Sequence, residues 1–430
     1  MSRAPLVVVG DVLLDREVLG TVDRLCPEAP VPVLDQSEVL DRPGGAGLAA
    51  LFAASAVAGR GPVAGGEHIV PGRPAREVVL VAAISADDAG DRIRELIVRS
   101  GVRLIEIPLP GPTPEKIRMR AGGNLLLRLD RGGASGIGPI PAEAVSAIRA
   151  AGAILVSDYG RGVTTDQQVR AALTDRAQGV PVVWDPHWRG GHPVAATRLV
   201  VPNRAEATGF VTAKLGSAHS GEWPLATAAF ERTQVRHPVA ANAATSVSAN
   251  AAAYAGPVGG NGGNAGPVGG TGGNGGTDYN RNGHNGNGHR DPAVTDLAQT
   301  AGMAVRLRRF WGAGAVAITL AEQGAVLSDG VHPPLLVPTP FSTRGDSCGA
   351  GDRFASMAVA SLSEGSSVLD AVTAAVSAAT AYVAAGGVLA LCPEIHTRTD
   401  DRVKIGTTTA GLAPRATPGG PRPAAGKLWP

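Results

Sequence analysis

Short hydrophobic runs recur along the chain, and each gives way to a glycine or a polar residue. Leu6-Val7-Val8-Val9-Gly10-Asp11, Val78–Ile84, Ala153–Gly160, Val180–Asp185 and Leu199-Val200-Val201 follow this pattern. Runs without internal alternation predict strands buried on both faces. The segments between them have helix length and are Ala-rich or amphipathic. Asp87–Ser100 puts Ile93, Leu96 and Ile97 on one face, and 352–363 and 368–385 are Ala-rich. Strand-helix alternation of this kind predicts βαβ units and a parallel sheet, an α/β fold. Ligands of such sheets meet the carboxyl ends of the strands, where Asp11, Asp158 and Asn203 fall.

Other stretches break the pattern. Residues 16–41 carry Pro27, Pro30 and Pro32 among short apolar pieces and predict edge strands outside the main sheet. A further strand is expected at 102–107, and Lys116-Ile117-Arg118-Met119-Arg120 puts three cations on one strand face. Glu322-Gln323-Gly324 reads as a hairpin turn between Ala315–Leu320 and Ala325–Leu327. Residues 59–76 look like a surface insertion. In the Gly-rich tract 233–292 a decapeptide beginning at Ala255 recurs nearly verbatim at 265–274, and a disordered insertion is expected. A mobile tail is expected over 396–430. The expected domain is thus 1–395, interrupted twice.

Composition narrows the class. A formal net charge of +2 over 430 residues gives no argument for nucleic-acid binding. The three cysteines Cys26, Cys348 and Cys392 are odd in number and far apart, which suits reduced thiols in a cytoplasmic protein. No apolar run is long enough for a bilayer and no signal-peptide pattern opens the chain, so no membrane partner is expected.

The most informative stretch is Asp346-Ser347-Cys348-Gly349-Ala350-Gly351-Asp352. Small residues let several backbone N–H groups converge on one anion, and a helix beginning at Asp352 would add its positive end. A carboxylate beside a phosphate-sized hole can take the proton of an attacking hydroxyl. The alternative is a Gly-rich helix start with an acid near the dipole. Asp11 and Asp15 are candidates for sugar hydroxyls, and Gly44 and Gly45 for close ligand approach; loop solvation, capping and a plain turn are the alternatives. Lys116 and Arg118 are candidates for a substrate phosphate, against solvent-facing edge charges. Asn203 and Glu206, three apart, suit either a capping box or an oxygen-ligand pair for hydrated Mg²⁺ or nucleotide phosphates.

The stretch 346–352 resembles the second signature of the PfkB, or ribokinase-like, carbohydrate kinases, and Pro43-Gly44-Gly45-Ala46-Gly47 resembles the first. Within that family, 8–16, 26–33, 116–118, 124–130, 158–162 and 202–206 resemble the D-glycero-β-D-manno-heptose 7-phosphate kinases. The resemblance implies a ribokinase-like three-layer α/β/α sandwich with a small β-sheet lid, drawn from parts of 12–42 and 102–130, and a homodimer through the lid. It implies ATP-dependent phosphorylation of the anomeric hydroxyl, with Asp352 as base and the backbone of Gly349, Ala350 and Gly351 as anion hole. It assigns Asn203, Arg204, Ala205, Glu206, Thr319 and Gly324 to the nucleotide, with Glu206 serving Mg²⁺ through water. It assigns Asp11, Asp15, Gly44, Gly45, Lys116, Arg118 and Asp158 to the sugar. ATP, Mg²⁺ and a monovalent cation are the implied cofactors, and a separate nucleotidyltransferase is expected in the pathway. Two positions depart from the pattern. Leu48 and Ala49 stand where these kinases usually carry an Asn, and His187 stands where the heptose kinases tend to have Lys. A PfkB kinase for another sugar or nucleoside, and a non-catalytic sugar- or nucleotide-binding regulator, stay open as alternatives.

Overall fold

A computed structural model describes residues 3–58, 76–134, 136–214, 292–391 and 397–398. Nearly all of the expected insertion 59–76 and of the Gly-rich tract 233–292, and most of the tail 396–430, lie outside the described residues, as does Cys392.

The hydrophobic runs form a nine-stranded sheet. Its strands are β1 (Leu6–Gly10), β4 (Val78–Ile84), β5 (Arg103–Pro108), β8 (Ala153–Ser157), β9 (Val182–Asp185), β10 (Leu199–Val200), β11 (Val316–Thr319), β12 (Ala325–Ser328) and β13 (Leu335–Val337). The spatial order is β13-β12-β11-β10-β9-β8-β1-β4-β5. All pairs from β5 to β11 are parallel, and β12 and β13 add antiparallel at one edge. The expected turn at 322–324 closes the β11–β12 hairpin, with a short 3₁₀ turn at Ala321–Gln323.

Successive residues of a strand face opposite sides, so β1 feeds two cores. Leu6 and Val8 join the apolar layer under α1 (Ala46–Val57), α2 (Asp88–Arg99), α7 (Ala350–Ser363) and α8 (Val368–Ala384). Val7 and Val9 join the layer under α3 (Ala142–Ala150), α4 (Gln167–Ala177), α5 (Arg204–Lys214) and α6 (Pro292–Trp311). Burial on both faces is why these strands read as unbroken apolar runs. The chain leaves β1 toward β4 and β5, then returns to β8 on the other side. The carboxyl end of β1 is therefore the point where strand order reverses, the usual place for a ligand.

A second, five-stranded sheet has the order β14-β3-β2-β6-β7. It is built from β2 (Val12–Leu25), β3 (Pro32–Gly45), β6 (Glu115–Ala121), β7 (Asn124–Arg131) and β14 (Thr397–Arg398). Two differences from the expectation follow. Of the stretch 102–130, Arg103–Pro108 pairs with β4 in the main sheet, and only the part from Glu115 enters the small one. Thr397 and Arg398, expected in the tail, pair with Asp41 and Leu40 of β3. Pro32 opens β3 and Pro27 and Pro30 lie in the preceding turn, so the prolines end these long strands without making β2 an edge.

Candidate active site

Helix α7 begins two residues before the acid expected to open it. Gly349 takes the left-handed conformation (φ 81°) that starts the helix, and Asp352 lies in the first turn. Only glycine fits at 349, because a Cβ there would stand 2.8 Å from Leu48 Cδ2 and 3.0 Å from the Tyr382 hydroxyl. Leu48, at a position that departs from the family pattern, thus packs directly on the loop that holds Gly349. The loop is fixed from both sides. The Cys348 N–H donates to Asp346 Oδ1 at 2.9 Å, and the Tyr382 hydroxyl donates to the Cys348 carbonyl at 2.7 Å. The Ala350 N–H is taken by the Ser347 carbonyl at 3.0 Å. The N–H groups of Gly351 and Asp352 precede any helical acceptor and remain for an anion. Of the three backbone groups expected to form the hole, Ala350 is therefore engaged locally.

The Asp352 carboxyl is 5% exposed, and the Tyr159 hydroxyl sits 3.1 Å from both of its oxygens. Burial pushes its pKa up to about 7; the Tyr159 hydrogen bond opposes that, nearby Asp15 adds to it, and Lys116 opposes it. The acid can exchange a proton near neutral pH, as a general base must.

Asp11 and Asp15, four apart in the chain, do different things. Asp11 accepts from the N–H groups of Tyr159 (3.0 Å), Arg161 (2.9 Å) and Val163 (3.3 Å), so its carboxylate is turned into the 159–163 loop. It positions Tyr159 and does not present free oxygens to a sugar. Asp15 pairs with Arg118 at 2.9 Å, and Glu17 with Arg42, Arg118 and Arg120 at 3.1, 3.4 and 2.9 Å. Arg118 is thus neutralised inside the protein, and the expectation that it takes a substrate phosphate is corrected. Its strand neighbour Lys116 makes no ion pair among the described residues and lies near enough to Asp352 to lower its pKa. Gly44 and Gly45 serve close packing: a Cβ on Gly44 would meet Asp15 Oδ2 at 2.6 Å, and one on Gly45 the Asp11 carbonyl at 2.5 Å. Asp158 accepts from Gly160 N–H at 2.7 Å and Thr164 Oγ1 at 2.8 Å; burial, and then Asp11, push it up to about 7.

Asn203 and Glu206 form the capping box. The Asn203 N–H donates to Glu206 Oε2 at 2.9 Å, and the Glu206 N–H to Asn203 Oδ1 at 3.0 Å. Arg204 turns away to Asp296 of α6, and Ala205 is exposed. Desolvation raises Glu206 to about 7 and Asp185 well above the usual carboxylate range, with Glu206 the next cause for Asp185. Two desolvated acids that repel one another suit a hard cation such as Mg²⁺, with phosphate oxygens and water completing its shell. Among the described residues no group of three or more His, Cys, Asp or Glu gathers as a metal site.

Between the β11–β12 turn and α8 opens a cleft of about 380 Å³, lined by Thr319, Gly324, Thr339, Phe341, Arg344 and Gly351, among others. It ends at the first turn of α7, so Thr319 and Gly324 are brought together with the anion-site glycines. Sequence reasoning missed three participants. Tyr159 lies inside the 158–162 stretch that carried the resemblance, but its contact with Asp352 spans 193 positions. Asp185 closes a strand like the other acids. Arg344 lies in an aperiodic loop and left no signal.

Residues 296–395 match the family described as pfkB family carbohydrate kinase. The chain is 39% identical over 392 residues to the bifunctional protein HldE of Streptomyces coelicolor, covering 91% of this chain and 63% of that one. It is 34% identical over 218 residues to bifunctional protein HldE of Azorhizobium caulinodans, covering 48% and 42%. The chain thus spans under two thirds of the length of these curated relatives. Among solved structures, a ribokinase of Arabidopsis thaliana complexed with ribose and ATP has a TM-score of 0.52 at 16% identity, covering 91% of this chain and 96% of that one. Phosphofructokinase-2 from Escherichia coli in complex with potassium has 0.53 at 13% identity, covering 91% and 96%. At such identities these two establish the ribokinase-like fold. Over residues 296–395 the chain is thus similar to the pfkB family of carbohydrate kinases, and over most of its length to proteins named HldE.

Proposed function

We propose that the chain is an ATP-dependent sugar kinase that phosphorylates the anomeric hydroxyl of D-glycero-β-D-manno-heptose 7-phosphate. The observation that carries this is Asp352: a buried acid pushed up to about 7, in the first turn of a helix whose Ala350 and Gly351 line a cleft large enough for a nucleotide. The heptose assignment is supported by the 39% identity to a protein named HldE. Asp352 takes the proton of the anomeric hydroxyl as its oxygen attacks the γ-phosphorus. The bond from that phosphorus to the bridging oxygen breaks, and ADP leaves with the electron pair. The Gly351 and Asp352 N–H groups face the charge on the transferring phosphoryl group, with Lys116 close by. Thr319 and Gly324 border the nucleotide. Glu206 and Asp185 would hold Mg²⁺, which when bound neutralises phosphate charge. Tyr159 orients the base. A monovalent cation belongs to the same proposal, although no donor set for it stands out among the described residues. Asp158 stays a candidate for a sugar hydroxyl.

The test is ADP release across phosphorylated and free sugars. Asp352→Asn should lower turnover by at least about two orders of magnitude with nucleotide binding largely kept. In the wild type, kcat/KM should rise with pH through about 7 as Asp352 ionises. Near-normal turnover in the variant removes Asp352 from the mechanism. Release with another sugar or a nucleoside only would move the substrate assignment within the family. Ligand binding without release in any case would favour a regulator. We further propose that two copies pair through the exposed face of the small sheet.

A further inference from the structure

The cleft assigned to the nucleotide carries a cation that the transfer step above leaves unused. Of the described residues lining it, only Arg344 and Glu322 bear a full charge. Glu322 belongs to the β11–β12 turn, and Arg344 to the loop that leads into α7. The backbone of that loop is pinned. A Cβ on Gly345 would stand 2.5 Å from the Val383 carbonyl oxygen of α8, and one on Gly387 would run into the Asp346 carbonyl. The chain therefore passes hard against the end of α8 and brings Arg344 to the cleft wall on that side, across from the turn. Arg344 is exposed and makes no hydrogen bond or ion pair among the described residues. Asp346, the acid nearest to it in the chain, is engaged elsewhere: Oδ1 accepts the Cys348 N–H at 2.9 Å, and Oδ2 faces Arg120 at 3.3 Å.

A nucleotide brings an apolar ring system and a polyanionic chain to such a cleft. Helix α8 offers Val376 and Ala379 to the rings, and Phe341 stands half-exposed in the same lining. The phosphate chain is repelled by Glu322 and drawn to Arg344 and to the free N–H groups at the start of α7, where Gly351 lines the same cleft. A guanidinium fork binds two phosphate oxygens at once, which a backbone N–H cannot do. Lys116 serves a different place, because it acts on Asp352 and lies outside the cleft lining. We propose that Arg344 binds the diphosphate of the nucleotide, the part that leaves as ADP, and so sets how tightly that product is retained. Lys116 and the first turn of α7 are left to the transferred group. This rests on the kinase reading and deepens it. Arg344 is a binding residue, so its loss loosens ADP and spares the chemical step.

Calorimetric titration of the full chain with ADP and with adenosine separates the diphosphate from the base and ribose. Arg344→Gln should weaken ADP about tenfold or more, the worth of a charge-assisted contact, and adenosine by less than about twofold. Arg344→Lys should recover part of the loss, since it keeps the charge and gives up the planar fork. In steady state Arg344→Gln should raise the inhibition constant of ADP by the same factor, with kcat kept or raised. The side chain is exposed, so the unfolding temperature should stay near the wild-type value. ADP and adenosine weakened equally, or neither weakened, overturns the assignment. So does a fall in kcat as deep as that of Asp352→Asn, which would put Arg344 at the transferred group. In both cases a wild type that releases ADP with a sugar keeps the kinase reading intact. If the wild type binds ADP but releases none with any sugar, the kinase reading fails while the titration still decides the role of Arg344. A wild type that binds neither ADP nor adenosine overturns both.

Discussion

The Asp352 carboxyl is paid for in stability. Its pKa is raised from 3.8 to about 7, so the protonated form is favoured in the fold over the unfolded chain. The contribution is fully present below the unfolded value and disappears as pH rises through about 7, where the fold must bury a charge. Asp352→Asn keeps the shape and removes that charge. The variant's stability advantage over the wild type should therefore be greater at pH 8 than at pH 5, by up to about 3 kcal/mol. Thermal unfolding at the two pH values checks this, and an equal difference at both would mean that the acid is not buried as a charge. At this scale the sequence was most legible where chemistry needs small residues. Gly349, Gly351 and Asp352 stand out in the sequence because no ordinary helix start requires that run. Asp11, Arg118 and Ala350 were misjudged in role, since their partners are a distant loop, two acids on another strand and a neighbouring carbonyl. Which ion pairs close inside a protein depends on strand register, and register is set by the whole sheet.

At the scale of elements, β7 is the least reconciled with water. It is the edge strand of the small sheet, all eight of its residues are exposed, and Leu125, Leu126, Leu127 and Leu129 are among them. An exposed apolar edge strand is a pairing surface. Leu127 and Leu129 share one face of the strand, and a bulge at Leu126 puts Leu125 on the other. Leu127→Asp should convert a dimer into a monomer, read by light scattering on the eluting protein, with little loss in unfolding temperature because the side chain is already exposed. A wild type that elutes as a monomer would remove the proposed pairing. The small sheet was also the element least legible in advance. The parallel strands declared themselves because burial on both faces leaves no polar position. β2 and β3 carry charged residues inside their own sheet, which breaks the apolar pattern that periodicity detects.

Across the whole molecule, those internal charges form the seam between the small sheet and the 346–348 loop. Glu17 and Arg42 are both 0% exposed and pair at 3.1 Å. Arg118 reaches the Cys348 sulfur at 3.3 Å, and Arg120 reaches Asp346 at 3.3 Å. Strands β2, β3 and β6 are thereby linked to the loop that carries the proposed anion site. Glu17 is the hub, because it faces three arginines: it takes Arg42 through Nη2, while Arg42 Nε and Nη1 have no hydrogen-bond partner among the described residues. Removing one partner of a buried pair leaves the other charge uncompensated, at a cost of about 3–5 kcal/mol. The Arg120–Asp346 pair is partly solvated, and losing such a pair costs about 1 kcal/mol or less. Glu17→Gln should therefore lower the urea midpoint strongly and raise KM for the sugar, while Asp346→Asn moves the midpoint little. Similar midpoints for the two variants would mean that the small sheet is held by its strand ladder and not by this seam. In that case the linkage between the lid and the anion-site loop would have to run through the β3–α1 junction at Gly45, where the chain passes from the small sheet straight into the helix packed on α7.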